Sequence, residues 1–116
     1  MTRDEILNMP AGREMDALIA ENVMGYQWGY KHAFSTLPTW SKNGIVVTLG
    51  DYSTDISAAW EVVEKLRGKR VMEISITKKS FWCTVYATGR NINEKADTAP
   101  LAICRAALLA VMEVEG

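Results

Sequence analysis

The sequence predicts an α+β fold: a layered α-β-α sandwich with a small, mainly antiparallel sheet and a buried apolar C-terminal helix. Three observations lead there. From Ala99 to Met112 the chain reads APLAICRAALLAVM, and Arg105 is its only charged residue. A helix apolar on nearly every side must be buried by several neighbours. The stretch VMEISITKKSFWCTVYATG alternates apolar and polar residues on both sides of Lys78-Lys79-Ser80, which is the pattern of a hairpin. Further helical patterns precede it, and helices bracketing a small antiparallel sheet make a layered sandwich.

The elements follow in order. Thr2-Arg3-Asp4-Glu5 has capping-box spacing, so a short helical turn through Ile6 and Leu7 is expected before Met9-Pro10. A longer helix is predicted from Ala11 to Met24. Met15, Leu18, Ile19 and Val23 form its buried face, Arg13, Glu14, Asp16 and Glu21 lie mostly outside that face, and Gly25 is the stop. Within residues 25–53 the alternation Tyr26/Trp28/Tyr30 reads as a strand and Ile45 to Leu49 as a short β-branched run. Ser35 to Asn43, between them, reads as a polar surface loop.

A helix is predicted after the candidate caps Asp51 to Asp55. Ile56, Ala59, Trp60 and Val63 share its buried face, Leu66 lies near the edge, and Gly68 ends it. In the hairpin, Met72, Ile74 and Ile76 alternate with polar residues, as do Phe81, Cys83 and Val85. The face carrying Trp82 and Tyr86 is too aromatic to be simply wet, so cover on both sides of the sheet is expected. Gly89 to Lys95 reads as a polar loop. Asp97 or Thr98 caps the last helix, with Pro100 in its first turn. Its apolar part spans about 21 Å, short of a bilayer core of ~30 Å, so the helix belongs to a globular domain.

Length and composition suit one domain covering residues 1–116. A net charge of −1 carries no electrostatic footprint for nucleic acid or membrane. Cys83 and Cys104 sit inside apolar patterns and read as buried thiols. With one histidine, no metal-ligand spacing, no glycine-rich phosphate fingerprint and no nucleophile elbow, neither a metal nor a cofactor is expected. The first residues, MTRDEILNMPAGRE, are charged and lack an apolar signal core, which favours a cytoplasmic protein.

Three blocks carry a resemblance. TRDEILNMPAGREMDALIAENVMG, YSTDISAAWEVVEKL and ADTAPLAICRAALLAVM resemble the phage ABA sandwich domain family of small phage and prophage proteins. Together they cover about half the chain, and the segment Gln27 to Asp51 has no counterpart. The resemblance implies an α-β-α sandwich and a bacterial host cell as its setting. It implies no activity, and it carries over no catalytic residues.

Catalysis needs convergent groups with matched chemistry. His32 reads as a solvated loop histidine rather than a general base. Asp51 and Asp55 read as helix caps rather than a carboxylate pair. Binding is easier to argue. Helix N-termini near Ser53-Thr54-Asp55 and Asp97-Thr98 favour anions, although capping side chains already use part of that potential. Aromatic rings together with arginine can hold a nucleobase and its phosphates. On that basis the candidate ligand-binding residues are Trp28, Tyr30, Trp40, Tyr52, Arg90 and Arg105. Trp60 and Trp82 read as core packing, and Lys78-Lys79 as a solvated turn. Arg105, inside an apolar helix, must reach a carboxylate, a backbone carbonyl or a ligand. A structural salt bridge is the leading expectation, with a ligand or a subunit contact as the others.

The functional expectation is a non-catalytic phage accessory binding protein that counters host defence, either by sequestering a nucleotide-type signal or by blocking a host protein. The alternative is a structural or assembly module, a homo-oligomer, because the final helix is apolar all round. An enzyme acting on nucleotides or nucleic acid ranks third, and direct nucleic-acid binding ranks below it because no helix has a basic face.

Overall fold

The computed structural model describes residues 1–31, 37–87 and 89–112. Its elements in chain order are α1 (Arg3–Asn8), α2 (Arg13–Asn22), β1 (Gln27–Tyr30), β2 (Thr39–Lys42), β3 (Ile45–Val47), α3 (Ile56–Arg67), β4 (Val71–Ile76), β5 (Phe81–Ala87), β6 (Arg90–Ala96) and α4 (Ala99–Val111). The fold is an α+β sandwich with two antiparallel three-stranded sheets, ordered β1-β2-β3 and β4-β5-β6. His32 lies outside the described residues.

The last helix anchors the assembly. Thr98 caps α4, its side chain accepting from Leu101 N–H, and Pro100 sits in the first turn. Ala102, Ile103, Cys104, Ala106, Ala107, Leu108 and Leu109 are all essentially inaccessible. The helix packs on β5 and β6 and against α1, α2 and α3. The chain itself therefore covers α4, which removes the reason its apolarity gave for a subunit contact.

Both sides of the β4–β6 sheet follow from register. The inner rows are Met72-Val85-Ile92, Ile74-Cys83-Glu94 and Ile76-Phe81-Ala96, and α4 lies over them. The outer rows are Val71-Tyr86-Asn91, Glu73-Thr84-Asn93 and Ser75-Trp82-Lys95. The expected second cover is not there among the described residues: Glu73, Ser75, Tyr86, Asn91, Asn93 and Lys95 are exposed. Trp82 is not core either. Its ring lies on this outer face, with the Lys95 ammonium 5.9 Å from its centroid. The segment expected as a loop from Gly89 to Lys95 is strand β6 instead. Its inward residues are Ile92, Glu94 and Ala96, so the apolar alternation is broken by Glu94. That carboxylate is 8% exposed and meets Arg3 of α1 at 2.6 Å.

Two helix faces differ from expectation. On α2, Asp16 is buried rather than outside, and Leu18 is only partly covered. The reason is a polar partner across the core: Asp16 accepts from Ser53 N–H at 2.8 Å and from Ser53 Oγ at 2.7 Å. On α3, the buried residues are Ala58, Ala59, Val62, Val63 and Leu66, whereas Ile56 and Trp60 are each 51% exposed. A face of alanine and valine brings α3 close to the alanine-rich α4. Trp60 is too large for that seam.

The segment 39–47 was expected to be part loop, and it is a hairpin, β2–β3. Its turn is Asn43-Gly44, with φ of 53° and 79°. Two successive positive φ angles are the signature of the turn that matches strand twist, and Asn-Gly is its preferred pair. Gly50 is fixed by close approach: a Cβ there would meet the Tyr52 ring at 2.7 Å.

Burial raises three titrating groups. Tyr52 is pushed from 10.0 up to about 12, chiefly by desolvation, and Cys83 from 9.0 up to about 11 for the same reason. Cys104 rises too, by desolvation and the nearby Asp16 charge. Each group keeps its proton longer folded than unfolded. Their stabilisation is therefore complete below about pH 9 and is lost through about pH 9 to 12. The free energy of unfolding from urea titrations should fall between about pH 8 and about pH 10.5, the slope per thiol approaching roughly 1.4 kcal/mol per pH unit above about pH 9, where only the unfolded form titrates.

Candidate functional site: a cationic cavity at the head of the last helix

A three-stranded meander brings the β4–β5 turn and the β6–α4 connection to the same end of the sheet. The turn is held by Thr77, whose Oγ1 accepts from Lys79 N–H at 3.3 Å and Ser80 N–H at 3.0 Å. The connection ends at the Thr98 cap. Between them lies a cavity of about 270 Å³, lined by Lys79, Ser80, Lys95, Asp97, Leu101 and Arg105, with Ala96 at its wall.

Arg105 enters this cavity from nearly two turns inside α4. Its Nη1 donates to the Lys95 backbone carbonyl at 3.1 Å. Its Nε is buried and has no hydrogen-bond partner. Among the described residues no carboxylate lies within ion-pair distance of it; the ion pairs there are Arg3–Glu94 and Arg67–Glu64. The expected salt bridge is thus replaced by a backbone carbonyl, one of the other partners open to the residue. Two cations that line the cavity, Lys79 and Arg105, stand against one carboxylate, Asp97, while the Lys95 ammonium lies over Trp82 on the outer face; α4 adds the positive end of its dipole. The arrangement suits a small anion with several oxygens, phosphate above all.

The other candidate residues do not join it. Trp28 and Trp40 pair across β1 and β2 with ring centroids 5.4 Å apart, and Tyr30 ends β1. None of the three lines the cavity, and neither does any other aromatic ring. Tyr52 is core, 2% exposed. Arg90 donates to the Leu109 carbonyl at 3.1 Å, closing the far end of α4, which is a structural role. Of the six, Arg105 alone is in the cavity. Of the residues that join it, Lys79, Lys95 and Asp97 were visible as charges near turns, and Ser80 as part of the hairpin turn. Their convergence was hidden because β6 was read as a loop.

Among the described residues no group of His, Cys, Asp and Glu converges to hold a metal, and no helix is long and apolar enough to cross a membrane.

Comparison with known proteins places this geometry in context. The family model of the phage ABA sandwich domain matches residues 17–108. A 2.0 Å crystal structure of a phage protein from Bacillus cereus ATCC 14579 is similar with a TM-score of 0.72 and 32% sequence identity, over 90% of this chain and 95% of that one. No curated protein matches the chain.

Proposed function

The chain belongs to the phage ABA sandwich domain family, and from that premise we propose that it is a phage accessory protein that binds, without chemistry, a phosphate-bearing small molecule at the Arg105 cavity. The observation that carries this reading is Arg105 itself. A guanidinium in an otherwise apolar helix, bonded to one backbone carbonyl and accompanied in the cavity by Lys79 against the single carboxylate of Asp97, leaves positive charge that an anion would neutralise. Recognition acts on the phosphate, since no ring lines the cavity to grip a base. In the bacterial cytoplasm such a protein works by stoichiometric capture of a nucleotide-type signal and so counters host defence.

Calorimetric titration with inorganic phosphate and with nucleoside mono- and diphosphates tests it. Arg105→Met should weaken binding at least about tenfold, about 1.4 kcal/mol. Because Arg105 also holds the Lys95 carbonyl, Lys79→Gln is the companion variant. It leaves every described hydrogen bond of the turn backbone in place and should weaken binding about threefold or more. Equal affinities in all three proteins would dismiss the site.

A second reading, a self-assembling module, has an observation of its own. The β1–β3 sheet meets the rest of the fold mainly through α2 and exposes Trp28 by 60%, Ile45 by 69% and Val46 by 47%. Apolar exposure of that extent suits an interface between copies.

A further inference from the structure

The outer edge of β4 is a surface of another kind, which shares only Lys79 with the anion cavity. Thr77 N–H donates to the Ser80 carbonyl at 2.9 Å, so these two residues form a hydrogen-bonded pair. Such pairs alternate along an antiparallel ladder. Glu73 and Ser75 therefore bond towards β5, while Met72, Ile74 and Ile76 turn their N–H and C=O groups away from it. β4 is terminal in its sheet, and among the described residues no strand lies on that side.

The side chains of the same three residues lie on the inner face, and cover gives out along the strand. Met72 is half-buried under α3, Ile74 is 37% exposed and Ile76 is 72% exposed. Trp60 stands beside Met72 in the groove between α3 and β4. Proteins ordinarily blunt such an edge with charge inside the strand. The only charge within β4 is Glu73, on the outer face. The opposite edge, β6, is polar at Asn91, Asn93 and Lys95, and Arg3 of α1 reaches over its Glu94.

Charge selects the occupant. Lys69 and Arg70 precede β4, and Lys78 and Lys79 follow it. A second copy paired antiparallel over the whole strand, centred on Ile74, would set Arg70 against Lys78 and Lys69 against Lys79. Like charges directly opposite are destabilising. We propose that β4 is a docking edge for an extended segment of another protein, apolar at alternate positions and acidic at both ends. The segment adds to the sheet as a strand, its backbone meeting the free groups of Met72, Ile74 and Ile76. Its apolar side chains extend the stripe towards Trp60, and its carboxylates meet the two basic flanks.

The test is amide exchange and chemical-shift mapping of the full chain with the synthetic peptide Glu-Glu-Val-Thr-Val-Thr-Val-Glu-Glu. Exchange should slow at Met72, Ile74 and Ile76, and the same peptide with lysine flanks should bind at least about tenfold more weakly. Ile74→Pro removes an outward N–H and should abolish binding. Since proline can also disturb the strand, Lys78→Glu is the second variant, and it should weaken the acidic peptide while favouring the lysine-flanked one. Lys79 is left intact because it also lines the anion cavity. No protection at about 1 mM peptide would overturn the proposal. So would affinity indifferent to flank charge. Protection that depends on protein concentration alone would assign the edge to a second copy and overturn it equally.

Discussion

Leu108→Ala should lower the free energy of unfolding by about 3 kcal/mol, read as a fall of about 12 °C in thermal midpoint. Leu108 has no accessible surface and lies in the part of α4 surrounded by other elements. Its buried neighbours in sequence, Ala106, Ala107 and Ala110, are already small and fill little of the space left behind. The cost is the lost transfer energy plus a cavity that stays open. A loss below about 1 kcal/mol would mean that the helices around α4 collapse onto it, contrary to a core organised by that helix.

Asp16→Ala should cost about 3 kcal/mol, although a helix position of this polarity would ordinarily tolerate alanine. The carboxylate is 2% exposed and accepts two hydrogen bonds from Ser53, whose Oγ also accepts from Gly12 N–H at 2.9 Å. Removing Asp16 strands the buried Ser53 N–H and frees the link between the head of α2 and the turn before α3. Ser53→Ala should cost less, about 1.5 kcal/mol, because the backbone bond to Asp16 survives. In a double-mutant cycle by urea denaturation the two changes should couple by about 1 kcal/mol or more. Strict additivity would show that the pair does not act as one unit.

The pair also explains why the buried face of α2 is hard to read. Periodicity places an aspartate on the wet side, and only a tertiary partner from residue 53 reverses that. Where one residue type decides the outcome locally, the sequence is clear. Thr2 and Glu5 form both bonds of the capping box, Thr98 caps α4, and Lys78-Lys79-Ser80 turns the hairpin. Asn43-Gly44 is the same kind of local signal, strong enough to identify β2 and β3, and reading Ser35 to Asn43 as a loop passed over it. β6 is different: Glu94 occupies an inward position, so alternation fails and only pairing with β5 reveals the strand. α3 is rotated from its strongest apolar pattern because close packing on α4 favours alanine over tryptophan.

The site was less legible than the fold. Arg105 stands out in any reading of an apolar helix, since its charge demands a partner. The nature of that partner depends on which segments the meander brings to the head of α4, and no local pattern encodes it. The aromatic residues from Trp28 to Trp40 suggested a stacking surface beside arginine. The sheet that carries them is joined to the fold through α2, whereas the Arg105 cavity is built from α4, the end of β6 and the β4–β5 turn. The Trp28–Trp40 pair and the Arg105 cavity therefore belong to two different surfaces.

Arg105 and its neighbours are proposed to capture a phosphate-bearing molecule. Native mass spectrometry of the protein purified from bacterial cells, beside Arg105→Met prepared identically, tests it most directly. A small phosphate-bearing adduct should be present on the unaltered chain and missing from the variant, with both proteins folded. An adduct of the same mass on Arg105→Met, or a bare unaltered chain that stays bare after incubation with the nucleotide panel, would contradict it.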